Sequence, residues 1–362
     1  MNKYLSNNLL LFLILFVSRS LTFSQEISIN NIEELFDKYI KLEKFSGTVL
    51  IAKNSKILFF KSFGFSNRET NTLNKPDTKF NICSMGKIFT ATAIMKLVQE
   101  GRLELNVPIK NYLPDFPENN SKIITVHHLL SHTSGLGNYM NRNNYYDIIP
   151  QLKTISDHYQ LVKNEILQFE PGVKFSYSNS GYIVLGKIIE NVSGQSYYDY
   201  IREKIFKPLK MEDSEFYLID QKVPDKAVGY TKTKSGEYKS SLYPIPNPAS
   251  DGGVYSTALD IFKFDQALHH NLVLSEKYKN KMFSPNLNDY GYGFSIKPAR
   301  EHISGKISIG HTGGWMNLSA VYRHFIEDNI IIIVLSNYAG VAFEVARNIE
   351  AVIYGKSYSI SQ

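Results

Sequence analysis

The apolar positions of the chain fall into helical and strand patterns that change along its length. In NNIEELFDKYIKLEKF, residues Ile32, Leu35, Phe36, Tyr39 and Ile40 recur at helical spacing, which predicts an amphipathic helix. Two short β-rich runs follow at 46–53 and 56–62, separated only by Asn54 and Ser55, as in a tight hairpin. Near the other end KISIGHTG, LSAVYRHFIE and NIIIIVLSN repeat the strand signature, with Glu327, Asp328 and Asn329 as the turn between the last two. The closing stretch VAFEVARNIEAVIYG puts Val341, Val345, Ile349 and Val352 on one helix face and stops at Gly355. Residues 86–250 are helical and loop-rich instead, as in IFTATAIMKLVQEG, closed by Gly101, and YYDYIREKIFKPL, ended by Pro208. Strands at both ends with helices between them predict an α+β fold. In it, 26–85 and 251–362 build an antiparallel sheet flanked by helices, and 86–250 is a helical insert.

Composition narrows the function. The 362 residues are 43% hydrophobic and 20% charged, an ordinary globular balance that excludes disorder and a polytopic membrane protein. The net charge of +6 is scattered without a basic run, which argues against nucleic-acid binding. Cys83 is the single cysteine, so no intramolecular disulfide can form and a Cys-based zinc site lacks its ligands. Residues 1–25 have a basic start, an apolar run from Leu9 to Val17 and a small, polar end, the pattern of a secretory signal cut near Ser24. That run is shorter than the roughly 20 residues a spanning helix needs. The expected mature protein is secreted or periplasmic, with no membrane insertion beyond the signal.

Several motifs lead nowhere. Gly181 to Lys187 imitates a phosphate-binding loop, but Ile188 stands where a hydroxyl belongs, so a buried helix is the better reading. His128 and His132 are four apart without a further ligand nearby, and SHTSGL (131–136) reads as structural. Thr257 with Asp260 reads as a capping box. Neither a metal nor an organic cofactor is expected.

Cys83-Ser84-Met85-Gly86-Lys87 leads directly into a helical segment, and no other Ser in the chain has a Lys three residues on. A Ser on the first turn of a helix sits where backbone N–H groups are unpaired, which suits developing negative charge. Its hydroxyl becomes a nucleophile only when a neighbouring base takes its proton, and Lys87 falls on the same face. Two further motifs follow in order, Tyr177-Ser178-Asn179 and His311-Thr312-Gly313-Gly314.

Together these residues resemble the serine β-lactamase and penicillin-binding protein superfamily, with Ser-x-x-Lys, Tyr-x-Asn and Lys/His-Thr-Gly in its class C β-lactamase and D,D-carboxypeptidase branch. Supporting stretches such as FSGTVLIAKNSKILF, ITVHHLLSHTSGL and GGVYSTALDIFKF extend the likeness over almost all of the expected mature chain. The resemblance implies a β-lactamase/transpeptidase-like fold and an acyl-enzyme on Ser84, with Lys87 and Tyr177 sharing the proton traffic. It further implies that Asn179 bonds the substrate amide, that the Ser84 and Gly314 N–H groups form the oxyanion hole, and that His311, Thr312 and Gly313 contact substrate from the strand. Many β-lactamases carry Lys where this chain has His311, and a mostly neutral His attracts a substrate carboxylate less. The expected activity is therefore a D,D-peptidase-like hydrolase of D-amino-acid peptides, amides or esters. An esterase or weak β-lactamase, and a non-turnover penicillin-binding or cell-wall-sensing protein, are the alternatives. The expected partner is a small-molecule or peptide substrate, and the oligomeric state stays open.

Overall fold

The computed structural model describes residues 27–240 and 245–361, so the segment read as a secretory signal lies outside it. Numbering only the main-sheet strands and the five longest helices, the order is α1 (Ile29–Lys41), β1 (Gly47–Lys53), β2 (Lys56–Phe63), α2 (Lys87–Gln99), α3 (Asn179–Ser193) and α4 (Ala258–His269). Then come β3 (Ser295–Lys297), β4 (Ser308–Trp315), β5 (Leu318–Phe325), β6 (Ile330–Ser336) and α5 (Val341–Ile353). The six strands form one antiparallel sheet in the order β2-β1-β6-β5-β4-β3. Its middle joins the two ends of the chain, with Gly47 opposite Ser336 and Lys53 opposite Ile330. The hairpin turn is made by Asn54 and Ser55, both left-handed at φ 51° and 64°, which matches the twist of the strands it joins.

Strand alternation divides the core in two. Val49, Ile51, Ile332 and Val334 face α1 and α5, meeting Leu35, Phe36, Val345 and Ile349. Leu50, Ala52, Ile331, Ile333 and Leu335 face the larger helical layer that contains α2, α3 and α4. A strand covered on both faces needs no polar alternation, which explains the unbroken run NIIIIVLSN. Ile40, expected on the inner face of α1, is instead 40% exposed, because the buried stripe is Ile32, Leu35, Phe36 and Tyr39. Each fully buried Leu or Ile contributes about 1.5–3 kcal/mol, and a core of this size stands without a disulfide.

The helical layer positions the site. Every residue of α2 from Lys87 to Met95 is buried, so this helix is enclosed on all sides and carries a lysine inward with it. At the start of α3, the Ser178 hydroxyl accepts from Gly181 N–H at 2.9 Å, and Gly194 ends the helix at φ 75°. The phosphate-loop lookalike is the interior of α3, where a Cβ on Gly186 would lie 2.2 Å from Ser250 Oγ. The segment YYDYIREKIF is α-helical only over Tyr197–Ile201 and π-helical over Arg202–Phe206. Thr257 caps α4 by accepting from Asp260 N–H, but the Asp260 carboxylate turns to Asp213 N–H and the Ser214 hydroxyl, so the box is half formed. Among the described residues, no helix is long and apolar enough to cross a membrane.

Candidate active site

Ser84 lies half-buried in the short 3-10 turn Cys83–Gly86 that leads into α2. The turn is clamped from both sides. Cys83 N–H donates to Asn81 Oδ1 at 2.9 Å, Gly253 N–H donates to Cys83 O at 3.2 Å, and Cys83 itself is left-handed at φ 51°. A Cβ on Gly313 would lie 2.0 Å from Ile82 O, and one on Gly252 2.5 Å from Cys83 O. Glycine at these two positions is what allows β4 and the 250–253 loop to close on the Ser84 turn. Cys83 is buried beside Ser84, and burial pushes its thiol up to about 12 against the opposing charge of Lys87, so it is packing and not a nucleophile.

Lys87 is wholly buried at the first turn of α2. Its Nζ donates to Asn179 Oδ1 at 2.7 Å and to the Asp251 carbonyl at 2.5 Å, and it lies 5.0 Å and 5.3 Å from the ring centres of Tyr177 and Tyr182. All of these partners are neutral acceptors or π faces. Among the described residues, no carboxylate oxygen lies within 4.0 Å of it. Tyr177 is 38% exposed and stands at the cleft with its ring on His132 at 4.3 Å. Asn179 ties two parts of the site together, since its Oδ1 holds Lys87 while its Nδ2 donates to Asn138 Oδ1 at 3.2 Å. The amide expected to meet substrate is thus already engaged with the 138–141 turn.

Strand β4 carries the third motif. Only residues 308–310 pair with β3, so from His311 onward no strand among the described residues lies on that edge. His311 and Gly313 point into the protein, while Thr312 and Gly314 are exposed. The His311 Nδ1–H donates to the Thr312 carbonyl at 2.6 Å, which leaves Nε2 to accept from the Tyr290 hydroxyl at 3.0 Å. Burial and the nearby Lys87 charge push His311 down to about 3, so it is neutral at physiological pH. The cleft of about 570 Å³ is lined by Asn81, Ser84, Tyr139, Asn179, Asn247 and Trp315, among others, and includes Gly314. Thr312 and His311 are not in that lining and border a second groove with Val321 and Arg323. Ser84, Asn179 and Gly314 therefore line the cleft, with Lys87 bonded to Asn179, Tyr177 against Lys87, His311 beside Tyr177 and Gly313 against the Ser84 turn, while Thr312 is exposed on β4 between His311 and Gly313.

Sequence reasoning missed Asn138, Asp251 and Tyr290, which touch the motif residues from distant segments and carry no motif of their own. Asp251 lies directly before the Gly252-Gly253 pair, and its carboxylate accepts from the Tyr139 hydroxyl at 3.1 Å. One group of three candidate metal ligands occurs among the described residues, Asp265, His269 and His324, with their ligand atoms within 4.8 Å of one another. It is not part of the cleft lining, and Asp265 Oδ1 already accepts from the Tyr322 hydroxyl and from His324 Nδ1–H.

The family model described as Beta-lactamase matches residues 32–355. Penicillin-binding protein 4* of Bacillus subtilis (strain 168) is 32% identical, with 92% of this chain and 77% of that protein covered. PbpX of the same organism is 36% identical over 72% of this chain, which spans 64% of the length of PbpX. The crystal structure of a penicillin-binding protein from Bacillus halodurans superposes with a TM-score of 0.80 at 33% identity, covering 87% of this chain and 98% of that one. The D-amino acid amidase of Ochrobactrum anthropi SV3, at 23% identity and a TM-score of 0.75, shares the fold, with 90% of this chain and 98% of that one covered. The chain belongs to the Beta-lactamase family, the β-lactamase/transpeptidase-like serine hydrolases.

Proposed function

We propose that the protein is an exported serine hydrolase that works through an acyl-enzyme on Ser84, on D-amino-acid peptides or the related amides and esters. The observation that carries this reading is the buried Lys87 ammonium, one helical turn from Ser84 and held only by neutral acceptors. In this reading Ser84 Oγ attacks the substrate carbonyl while its proton passes to the Lys87 and Tyr177 pair in the form that is one proton short, a neutral Lys87 amine beside the Tyr177 phenol or a Tyr177 phenolate beside the Lys87 ammonium. The same proton then goes to the departing amine or alcohol, and water releases the acyl group. The Ser84 and Gly314 N–H groups take the oxyanion, and extended substrate lies along the edge of β4 from His311 to Trp315. Relatives that carry the name penicillin-binding protein and a fold neighbour named as a D-amino acid amidase support the substrate class.

Neutral His311 favours a second reading within the same chemistry. Without a fixed cation at that position the attraction for a substrate carboxylate falls, so amides and esters gain on penicillins and on peptides with a free C-terminus. The test is intact-mass labelling of the mature protein with a fluorophosphonate and with a fluorescent penicillin. A single adduct that disappears in Ser84→Ala is expected. An adduct retained by Ser84→Ala overturns the assignment, and labelling at Ser84 without turnover of any amide, ester or peptide substrate identifies a binding protein instead. Ranking a D-amino-acid amide, a short-chain nitrophenyl ester, a D-Ala-D-Ala peptide and a chromogenic cephalosporin then fixes the substrate class.

A further inference from the structure

The SHTSGL segment looks structural in sequence, yet it places His132 behind the proton-transfer pair. His132 is fully buried, with a left-handed backbone at φ 57°. Its carbonyl accepts from Ser176 N–H at 2.9 Å and its Nδ1 accepts from Ser178 N–H at 3.0 Å. The two residues flanking Tyr177 are therefore both fastened to this one residue. Tyr177 closes the arrangement by laying its own ring on the imidazole, with centroids 4.3 Å apart and planes 34° from parallel.

The tautomer follows from these bonds. Because Nδ1 accepts, the ring proton is on Nε2, and Nε2 is buried with no hydrogen-bond partner among the described residues. It sits among the rings of Tyr182, at 5.0 Å, and Tyr290, at 4.7 Å. Leaving a buried donor unpaired costs about 1–3 kcal/mol, and an apolar ring would fill the same space without that cost. What an apolar ring cannot supply is the acceptor for Ser178. The same imidazole also backs Tyr290, whose hydroxyl holds His311, and Tyr182, which with Tyr177 flanks the Lys87 ammonium.

We propose that His132 is a positioning residue for the reaction, fixing the Tyr177 phenol against Lys87 through its carbonyl, its Nδ1 and the face of its ring. The proposal rests on the serine-hydrolase reading above and on the role of Tyr177 in moving the proton. Burial and the neighbouring charge of Lys87 hold His132 well below the ordinary histidine range, consistent with a ring that stays neutral and orients without exchanging protons.

The test uses His132→Asn, which tolerates the left-handed backbone and keeps an acceptor near the Nδ1 position while removing the ring, and His132→Gln as a second variant. The rate of Ser84 acylation is measured in the wild-type and the Tyr177→Phe backgrounds. Loss of orientation predicts kcat lower by about tenfold or more with KM within about threefold, and a displaced pH–rate profile. In Tyr177→Phe the same substitution should cost less than about twofold, since the group it positions is already gone. Equal losses in both backgrounds, an unchanged rate, or failure of both variants to fold overturn the proposal. Because wild type and Ser84→Ala are run alongside, a wild-type protein that never acylates sinks the hydrolase reading, whereas normal acylation by folded His132→Asn sinks only this one.

Discussion

Two buried centres lie on opposite faces of the main sheet and are solved in opposite ways. Glu350 of α5 is 1% exposed, and its carboxylate accepts from Arg323 at 2.8 Å, from His302 Nδ1 at 3.2 Å and from Ser304 N–H at 2.9 Å. Burial opposes its ionisation, but the His302 and Ser304 bonds and the Arg323 charge outweigh that and hold it below the usual carboxylate range. Lys87 is as deeply buried and meets only an amide oxygen, a carbonyl and two aromatic rings. A matched pair pins its protons, because moving one strands the other charge in a low-dielectric interior. Lys87, among the described residues, is held by neutral dipoles and has no counter-charge to strand. The difference teaches that burial alone marks neither a structural nor a reactive group; the sign and number of the partners do.

Substitutions at the two centres should separate these roles. Lys87→Met is expected to slow acylation by about 10³-fold while lowering the unfolding free energy by about 1–3 kcal/mol, because Asn179 Oδ1 and the Asp251 carbonyl lose their donor but no counter-charge is left unpaired. A Lys87→Met protein that labels at the wild-type rate breaks the comparison outright. Glu350→Gln should show the reverse, losing about 3 kcal/mol of unfolding free energy because Arg323 is left unpaired, with the activity per folded molecule retained. Equilibrium unfolding together with active-site titration measures both quantities on one sample.

Acid should reach the two centres at different pH. Unfolded histidine takes a proton near 6.5, whereas folded His311 resists until about 3, so its contribution is complete above 6.5 and fades as pH falls towards 3. Glu350, held below its unfolded value near 4.3, contributes fully above that value and fades only beneath it. Urea midpoints followed from pH 8 downward should bend first near 6.5, by at most about 1.4 kcal/mol per unit for one group, and again below about 4.5. In Glu350→Gln the lower bend should shrink and the upper one persist. The smallest effect expected is at Cys83, where a thiol pushed up to about 12 should remain unalkylated by iodoacetamide at pH 8 until the protein is unfolded. Rapid native alkylation would show that the Ser84 turn opens.

Much of this was legible in the chain, for reasons that differ by region. The sheet announces itself because β1 and β6 are covered on both faces and must be apolar throughout, as VLIA and IIIIVL are. Ser84, Lys87 and the later motifs are readable because their spacing carries the chemistry. Ile40 misled because helical periodicity cannot tell the centre of a buried stripe from its margin. Asn138, Asp251 and Tyr290 were silent, since each reaches the site only through a tertiary contact. His132 was visible as part of a turn, but the pattern around it says nothing of the bonds to Ser176 and Ser178 or of the Tyr177 ring it meets.

The pairing of β1 with β6 also has a temporal meaning. These partners lie roughly 280 residues apart, a separation that makes sheet closure a late and slow event in folding. Until β6 is available, the β1–β2 hairpin presents its apolar edge with nothing beside it, the kind of species that aggregates. A truncated or stalled chain that ends before residue 330 would therefore lack more than its last helix. It would keep the nucleophile turn and lose the strand that completes the scaffold, so synthesis of the final tenth of the chain decides whether the earlier nine tenths become an enzyme.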